Sequence, residues 1–230
     1  MTHAPVNPNS LARLLNYCER KRYPAKSVIL KPGTPATMLY YLVEGTASVS
    51  VENAEGREIV LAHLSAGDFL GESGLFLDQK IRGAWVRARY SCELAEISYQ
   101  RLRHLALTEL AVEYADILFM LSSQMALRLR SAGRKVSDLA FLDVGGRVLN
   151  ALQDISKTSG AIIRDNGRQV SITHQELGCI AGCSREMVGR VLKDLQRQNL
   201  IQVKGKAIVV VDGSSGNYAE PSAGLIFNLV

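Results

Sequence analysis

The sequence predicts an α+β protein made of three stretches with different patterns. Short β-rich runs separated by glycines fill residues 28–97, a heptad pattern begins near residue 114, and two short helices with a β-hairpin come last. A change of hydrophobic period along a chain marks a change of secondary structure. We therefore expect an antiparallel barrel or roll, then one long helix, then a winged helix-turn-helix.

Length and composition are those of an ordinary globular protein. The 230 residues are 47% hydrophobic and 21% charged, and the net charge of +5 suits a nucleic-acid partner without requiring one. No apolar run approaches the ~18 residues of a membrane span and no signal peptide opens the chain, so no membrane partner is expected. Four cysteines in so long a chain indicate a reducing compartment, the cytoplasm, rather than a disulfide scaffold.

The first domain is expected at residues 10–113. A short helix is predicted in "SLARLLNYCERKR", and its apolar face consists of Leu11, Leu14, Leu15 and Cys18. The β-rich runs after it are "SVIL", "MLYYLV", "TASVSV", "EIVLAHL", "AWVRA" and "CELAEI". Turn signals at roughly 8–12-residue intervals between such runs are typical of a compact antiparallel barrel or roll.

A long helix is expected at residues 114–142, where positions of one face recur in steps of four and three. This seam consists of Leu118, Ser122, Met125, Leu129, Ala132, Val136 and Leu139. The seam fits a core helix or a dimer helix, and basic residues such as Arg130 and Arg134 on the other faces favour the dimer helix. Asp143 and the pair Gly145–Gly146 can cap or hinge the chain where the seam ends.

A helix-turn-helix is predicted within residues 143–212. Thr173 and Glu176 form a T-x-x-E capping box, which starts a helix at the residue after Thr173. Gly182 breaks this helix, and Ser184 is a good N-cap for a second helix that runs to about Gln198. Two short helices joined by a tight glycine turn form a helix-turn-helix.

The second of these helices has an apolar face and a charged face. The residues expected in the core are Val188, Val191, Leu192 and Leu195. The residues expected outside are Arg185, Glu186, Gly189, Arg190 and Lys193. Arginine can donate to guanine O6 and N7 and glutamate can accept from cytosine N4, so this outer face suits duplex DNA. A charged helix face is common by itself, but a following hairpin, "LIQVKGKAIVVV" with a turn near Gly205, adds a wing and favours DNA binding.

A second candidate site lies in "GESGLFLDQKIRGAWVRAR", where Glu72 and Arg82 stand on either side of a glycine-containing turn. An arginine beside an apolar core is costly unless a negative group pairs with it. The negative group is either Glu72 or an anionic ligand.

Taken together, these segments resemble the CRP/FNR family of transcription regulators, in particular its cyclic AMP receptor protein (catabolite activator) branch. The matching segments are "RYPAKS", "LYYLVEG", "GDFLGESGLF", "RGAWVRA", "CELAEISY", "SQMALRL", "LAFLDV", "GCSREMVGRVLK" and "LIQVKGKAIVV". The resemblance spans both domains in the same order. It implies a cyclic-nucleotide-binding, jelly-roll-like β-roll, a dimerisation helix that forms a homodimer, and a winged helix-turn-helix that binds double-stranded DNA.

The same resemblance implies an effector site in the glycine-containing turn. Gly71, Glu72, Arg82 and Gly83 match the phosphate and ribose side, where Glu72 would accept from the 2′-hydroxyl and Arg82 would pair with the cyclic phosphate. Arg128 matches a residue near the ligand. Backbone amides of such a turn and one arginine suit a compact phosphate, so a cyclic nucleotide, cyclic AMP first, is the expected effector and no metal is expected.

Two differences from the family's pattern bear on which nucleotide binds. Around the phosphate and the base, Ala62, Gly83, Ala132 and Gly133 stand where the cyclic-AMP sensors have hydroxyl groups, and Ala62, Ala132 and Gly133 are those on the base side. Each lost hydrogen bond costs roughly 0.5–1.5 kcal/mol. The segment "LALTELAVEYADIL" also looks longer than in the catabolite activator. A similar lengthening occurs in the CRP-like (Clp) regulators, which resemblance links to cyclic di-GMP. Cyclic AMP or a related mononucleotide, cyclic di-GMP or another ligand, and ligand-independent DNA binding therefore stay open.

At the DNA end, the resemblance implies base reading in a TGTGA-type palindrome by Arg185, Glu186 and Arg190. The phosphate contacts it implies are Thr173, His174, Ser184 and Lys193, with His174 standing where the close family has arginine. RNA polymerase is an implied partner. The segment "TSGAIIRDNGR" departs from the family's usual activating loop, so the sequence leaves activation and repression open.

The residues offer little support for a metal site, a haem site or catalysis. Cys179 and Cys183 lack a second ligand pair, Cys18 stands alone where iron–sulfur sensors have a cluster, and His63 fits a structural role better than a haem ligand. No nucleophile elbow, Walker loop or paired carboxylates indicate an enzyme. A cyclic-nucleotide sensor module acting on a partner protein is the alternative from a different class. The tail at residues 213–230 receives no role.

Overall fold

The computed structural model describes residues 8–77, 80–157, 161–204 and 207–211. The chain divides into two compact units, Met1–Arg130 and Ser131–Val230. Helices and antiparallel strands occur in both units, which confirms the α+β class.

The first unit contains two four-stranded antiparallel sheets with strand orders β1-β8-β3-β6 and β2-β7-β4-β5. Its elements are α1 (Pro8–Asn16), β1 (Glu19–Tyr23), β2 (Val28–Leu30), β3 (Met38–Glu44), β4 (Thr46–Glu52), β5 (Glu58–Ser65), β6 (Phe69–Leu70), α2 (Ser73–Phe76), β7 (Trp85–Ala88), β8 (Cys92–Ser98) and α3 (Tyr99–Leu107). Leu42 and Leu94 from one sheet share a core with Ala47 and Val86 from the other, so the predicted roll is confirmed.

The predicted N-terminal helix is too long. The helix α1 ends at Asn16, and the residues that follow form β1 instead. This strand pairs antiparallel with β8 in a register that runs from Glu19 opposite Glu96 to Tyr23 opposite Cys92. Because "ERKRY" carries no helical apolar pattern, pairing with a neighbouring strand decides its conformation.

The long helix α4 (Tyr114–Phe141) has 28 residues, and its first turns pack on the roll. Ile117 and Leu121 are buried in the same cluster as Leu102 of α3. Gln124 exchanges two hydrogen bonds with the backbone of Phe69, at 2.7 Å from the Phe69 nitrogen and 2.9 Å to its oxygen. These bonds fix β6, and hence the turn that follows β6, against α4.

Among its described residues, the second unit contains the last turns of α4, three further helices and a four-stranded antiparallel sheet with the order β11-β12-β10-β9. Its elements beyond α4 are α5 (Val144–Ser156), β9 (Ile162–Arg164), β10 (Gly167–Ser171), α6 (His174–Ala181), α7 (Arg185–Arg197), β11 (Ile201–Lys204) and β12 (Ala207–Val211). Asp143 caps α5 by accepting from the Gly146 N–H at 2.8 Å. The predicted wing strands are confirmed, whereas β9 and β10 were not predicted. The turn at Gly205 and the tail at 213–230 lie outside the described residues.

Candidate functional site

The turn after β6 requires glycine at position 71. Gly71 has a φ of +81°, a backbone conformation that side chains with a Cβ disfavour. A Cβ there would lie 2.5 Å from Arg82 Nη1 and 2.8 Å from the Met38 oxygen. The backbone of the turn can therefore approach the Arg82 guanidinium as closely as it does only because residue 71 has no side chain.

Arg82 is buried, with 7% of its surface exposed. Its Nη1 donates to the Gly71 oxygen at 3.3 Å and to the Tyr99 hydroxyl at 3.0 Å, and its Nη2 donates to the Met38 oxygen at 2.5 Å. The rings of Tyr40 and Tyr99 each lie 5.8 Å from its Cζ. Carbonyl dipoles and aromatic faces thus surround this charge, and no described residue places a carboxylate within ion-pair distance of it.

Glu72 pairs with Arg128 of α4 and not with Arg82. Arg128 Nη1 lies 2.6 Å from Glu72 Oε1, and Arg128 Nη2 donates to the Phe69 oxygen at 2.6 Å. The side chains of Glu72 and Arg128 are only 14% and 27% exposed, so solvent screens this pair less than a surface pair. Of the two partners that the sequence left open for Arg82, Glu72 is therefore excluded.

The base-side candidates offer no side-chain hydrogen-bonding group. Ala62 lies on β5 opposite Val49 and is half-buried, and Gly83 is exposed directly after Arg82. Ala132 is exposed and Gly133 half-buried on α4, and both belong to the second unit. A base bound by any of these residues would find only backbone groups and apolar surface there.

Sequence reasoning missed three residues that support the glycine turn and Arg82. Tyr40 and Tyr99 enclose Arg82, and Gln124 fastens β6 to α4. All three stand within segments that carried the family resemblance, but nothing in their local pattern distinguishes them from core or surface residues.

The helix-turn-helix forms as its capping residues predict. Thr173 accepts from the Glu176 N–H at 3.1 Å while Glu176 accepts from the Thr173 N–H at 3.0 Å, which is the predicted capping box. Gly182 ends α6 in the left-handed conformation with a φ of +67°, and Ser184 caps α7 by accepting from the Met187 N–H at 3.2 Å. The sequence-based boundaries of both helices are confirmed.

A further glycine makes the turn between these helices tight. A Cβ on Gly178 would lie 2.7 Å from the Cys183 oxygen, so the chain after the turn passes directly over α6. On α7, the predicted core residues Val188 and Leu195 are fully buried. The four candidate DNA contacts on α7 are exposed, and they are Arg185, Glu186, Arg190 and Lys193.

The surroundings of Glu186 on α7 favour its ionised form. The pKa of the Glu186 carboxyl is lowered, first by its own backbone N–H and then by the Ser184 hydroxyl and the guanidinium groups of Arg185 and Arg190. An ionised carboxylate is a pure acceptor, as a contact to cytosine N4 requires. His174 at the start of α6 lies close to α7, with its Nδ1 3.7 Å from the position of a Cβ on Gly189.

The cysteines show no sign of a metal or redox site. Burial raises the pKa of Cys18 to about 11 and also raises the pKa of Cys183, so neither thiol is activated. Within the described ranges, no three His, Cys, Asp or Glu side chains gather as metal ligands would. No described helix is long and apolar enough to cross a membrane.

The β-roll, the long helix and the winged helix-turn-helix together indicate the class of DNA-binding transcription regulators. Residues 20–109 match the cyclic nucleotide-binding domain family, and residues 146–214 match the Crp-like helix-turn-helix domain family. The chain belongs to the CRP/FNR family of DNA-binding transcription regulators.

Relatives cover almost the whole chain. It is 47% identical to the cAMP-activated global transcriptional regulator Vfr of Pseudomonas aeruginosa, across 91% of this chain and 97% of Vfr. It is also 47% identical to the cAMP-activated regulator CRP of Salmonella typhimurium, across 90% of this chain and 96% of CRP. The solved structure of the c-di-GMP responsive regulator CLP of Xanthomonas campestris has a TM-score of 0.85 and 41% identity, over 89% of this chain and 99% of CLP. These relatives are regulators, and the chain is not an enzyme, as predicted.

Proposed function

We propose that this protein is a homodimeric transcription regulator that binds a TGTGA-type palindrome under the control of a cyclic nucleotide. The observation that carries the DNA assignment is α7, which buries one apolar face and exposes Arg185, Glu186 and Arg190 on the other. These side chains have the donors and acceptors that guanine and cytosine edges need in the major groove. Thr173, His174, Ser184 and Lys193 are the proposed phosphate contacts, which position the protein on the duplex.

The effector assignment rests on Arg82. Its buried charge has no carboxylate partner among the described residues, and a buried charge gains most from an anion that binds it directly. Glu72 lies at the same turn. Its carboxylate pairs with Arg128 and can at the same time accept from a ribose hydroxyl. A cyclic mononucleotide, cyclic AMP first, brings one phosphate and one ribose to this turn, and Vfr and CRP are named as cAMP-activated.

A second effector is favoured by the residues that the family resemblance places beside the base. Ala62, Ala132 and Gly133 cannot hydrogen-bond a base through their side chains, and CLP is named as c-di-GMP responsive. Cyclic di-GMP, or DNA binding that needs no ligand, is therefore the competing proposal.

Dimerisation is proposed along α4. The seam residues Met125, Leu129, Val136 and Leu139 are 39%, 68%, 66% and 45% exposed in the single chain. Exposed apolar residues at heptad spacing bury themselves by pairing with a second helix. A homodimer of this kind presents two copies of α7, which matches a palindrome with half-sites about 34 Å apart.

Replacing Leu129 with lysine should convert the dimer into a monomer. Burial of one leucine contributes about 1.5–3 kcal/mol, and each dimer loses two such side chains and gains two buried charges. Sedimentation velocity at micromolar concentration measures the change in mass. Leu127→Lys is the matched control, because Leu127 is 42% exposed on α4 but lies outside the seam. Equal masses for Leu129→Lys and the unaltered protein would exclude this dimer.

The remaining assignments follow from the family. RNA polymerase is the proposed partner at promoters, the compartment is the cytoplasm, and the domains are 10–113, 114–142 and 143–212.

In the alternative from a different class, the roll would sense a nucleotide and act on a partner protein. A mobility-shift assay with palindromic DNA separates the two, because that alternative requires no DNA binding.

An anisotropy titration of a labelled TGTGA palindrome at fixed salt tests the proposal. It is run without ligand and with cyclic AMP, cyclic GMP or cyclic di-GMP. Tightening by cyclic AMP would support the cyclic-mononucleotide assignment. Tight binding without ligand that no nucleotide changes would assign the protein to ligand-independent DNA binding, and a response to cyclic di-GMP alone would favour the second effector.

A further inference from the structure

The hydroxyl of Tyr99 lies between the two groups on which the proposed phosphate site depends. It accepts from Arg82 Nη1 at 3.0 Å and donates to the Gly71 carbonyl oxygen. The Tyr99 ring also lies 5.8 Å from the Arg82 Cζ. One side chain therefore contacts both the guanidinium and the backbone of the glycine turn.

The contacts of Arg82 leave one edge of its guanidinium available. Nη1 donates to the Gly71 oxygen and to the Tyr99 hydroxyl, which are themselves hydrogen-bonded to each other, and Nη2 donates to the Met38 carbonyl. Among the described residues, no backbone carbonyl or carboxylate accepts from Nε–H or from the second Nη2–H, and the Tyr40 hydroxyl is the remaining neighbour that interacts with the guanidinium. Nε and Nη2 are neighbouring nitrogens of the planar group, and such a pair of donors binds two oxygens of one phosphate.

This edge is not sealed in the core. Among the described residues, the buried side-chain N and O atoms that lack a partner are Thr46 Oγ1 and Glu113 Oε2. Arg82 Nε is not one of them, and 7% of the Arg82 surface is exposed. An anion can therefore reach these two donors without displacing the three hydrogen bonds that already hold the guanidinium.

We propose that Tyr99 is a positioning residue for the effector, which holds the Nη1 side of Arg82 and the Gly71 carbonyl so that the Nε and Nη2 edge faces the phosphate. The inference rests on the proposed function and deepens it. Tyr99 acts through Arg82 and the turn and makes no contact with the ligand itself. Because the peptide is planar, fixing the Gly71 carbonyl also fixes the direction of the Glu72 N–H.

The protonation of Tyr99 agrees with this role. Burial raises the pKa of its hydroxyl above the ordinary value, outweighing the opposing effect of the Arg82 charge. The hydroxyl therefore keeps its proton at neutral pH and can donate to Gly71 while it accepts from Arg82.

The variant Tyr99→Phe isolates the hydroxyl, because it keeps the ring against Arg82. The guanidinium then loses one of its three acceptors, and we expect cyclic AMP to bind about three- to tenfold more weakly. Calorimetry measures the Kd values of cyclic AMP and of its Sp and Rp phosphorothioates. The ratio of the two phosphorothioate Kd values is a measurement that a simple loss of packing would not change. Each phosphorothioate replaces one exocyclic phosphate oxygen by sulfur. The ratio of their Kd values therefore reports how strongly the orientation of Arg82 distinguishes between the two oxygen positions. That ratio should shrink towards one in Tyr99→Phe.

Tyr23→Phe is the matched control. It removes another tyrosine hydroxyl of the same unit, which donates to Glu96 at 2.6 Å and does not touch Arg82. Affinity and the phosphorothioate ratio should equal those of the unaltered protein, and thermal unfolding shows whether each variant folds.

The outcomes distinguish failure of the positioning role of Tyr99 from failure of the proposed function. If the unaltered protein binds cyclic AMP and Tyr99→Phe has the same affinity and ratio, the positioning role is overturned while the proposed function stands. Tighter binding by Tyr99→Phe would also overturn it, since Tyr99 would then hold Arg82 away from the ligand. If the unaltered protein binds none of the three nucleotides, the cyclic-mononucleotide function fails and this inference fails with it.

Discussion

Replacing Arg82 with alanine is expected to weaken cyclic-nucleotide binding by about a hundred- to ten-thousandfold. Two hydrogen bonds from a guanidinium to a phosphate contribute about 1.5–3 kcal/mol each, and the variant removes both donors and the charge. Glu72 would still meet the ribose, so weak binding should survive. Calorimetric titration with cyclic AMP measures the loss, and anisotropy shows whether the DNA response to the nucleotide disappears with it.

Arg87→Ala is a suitable control for that experiment. Arg87 lies on β7 of the same roll and pairs with Glu58 at 2.9 Å, with its guanidinium 4.3 Å from the Trp85 ring. Like Arg82 it contacts an aromatic ring, but it also has an ion pair, which Arg82 lacks among the described residues, and it lies outside the glycine turn. Nucleotide affinity should therefore stay within about twofold of the unaltered protein, as is typical of surface changes. Unchanged affinity in Arg82→Ala would remove Arg82 from the effector site.

Local signals make the helix-turn-helix predictable from the sequence. Capping boxes, N-cap serines and left-handed glycines act within a few residues, so Thr173, Gly182 and Ser184 define both helices from their immediate neighbours. The two faces of α7 likewise follow from its own period. The exposed face of α7 can therefore be predicted from the amino-acid sequence alone.

Contacts between distant segments explain what the sequence could not predict. Glu72 and Arg128 are 56 residues apart, and nothing near either one indicates that they pair. The strand β1 forms because β8 lies beside it, and β9 forms because it pairs with β10, although both stretches look irregular or helical in sequence. The surroundings of Arg82 also come from three separate segments, which carry Met38, Gly71 and Tyr99.

The same distinction bears on the effector. The residues proposed to hold an anion lie at a turn whose glycine and arginine can be recognised in the sequence, and Arg82 has no carboxylate partner among the described residues. Ala62, Ala132 and Gly133, which the family resemblance places beside the base, have no side-chain hydrogen-bonding group. The phosphate is therefore better supported as a ligand group than any particular base.

The variant Arg185→Ala should weaken binding to the TGTGA palindrome by about 1–3 kcal/mol per half-site and relax the preference at one base position. Arg185 stands at the first turn of α7, where side chains reach base edges, and its side chain is exposed. Alanine removes both donors to guanine O6 and N7 but keeps the helix, since alanine has a high helix propensity. Anisotropy with palindromes changed symmetrically at each position measures both the affinity and the preference.

Arg197→Ala separates base reading from general charge. Arg197 lies in the last turn of the same helix, is exposed and pairs with Asp194 at 3.2 Å. Both variants lower the charge of the protein equally, so both should lose the same small electrostatic share of DNA affinity. Only Arg185→Ala should lose discrimination at one base position. If the two variants showed the same affinity and the same sequence preference, α7 would contact DNA through its charge alone, and Arg185 would not read a base.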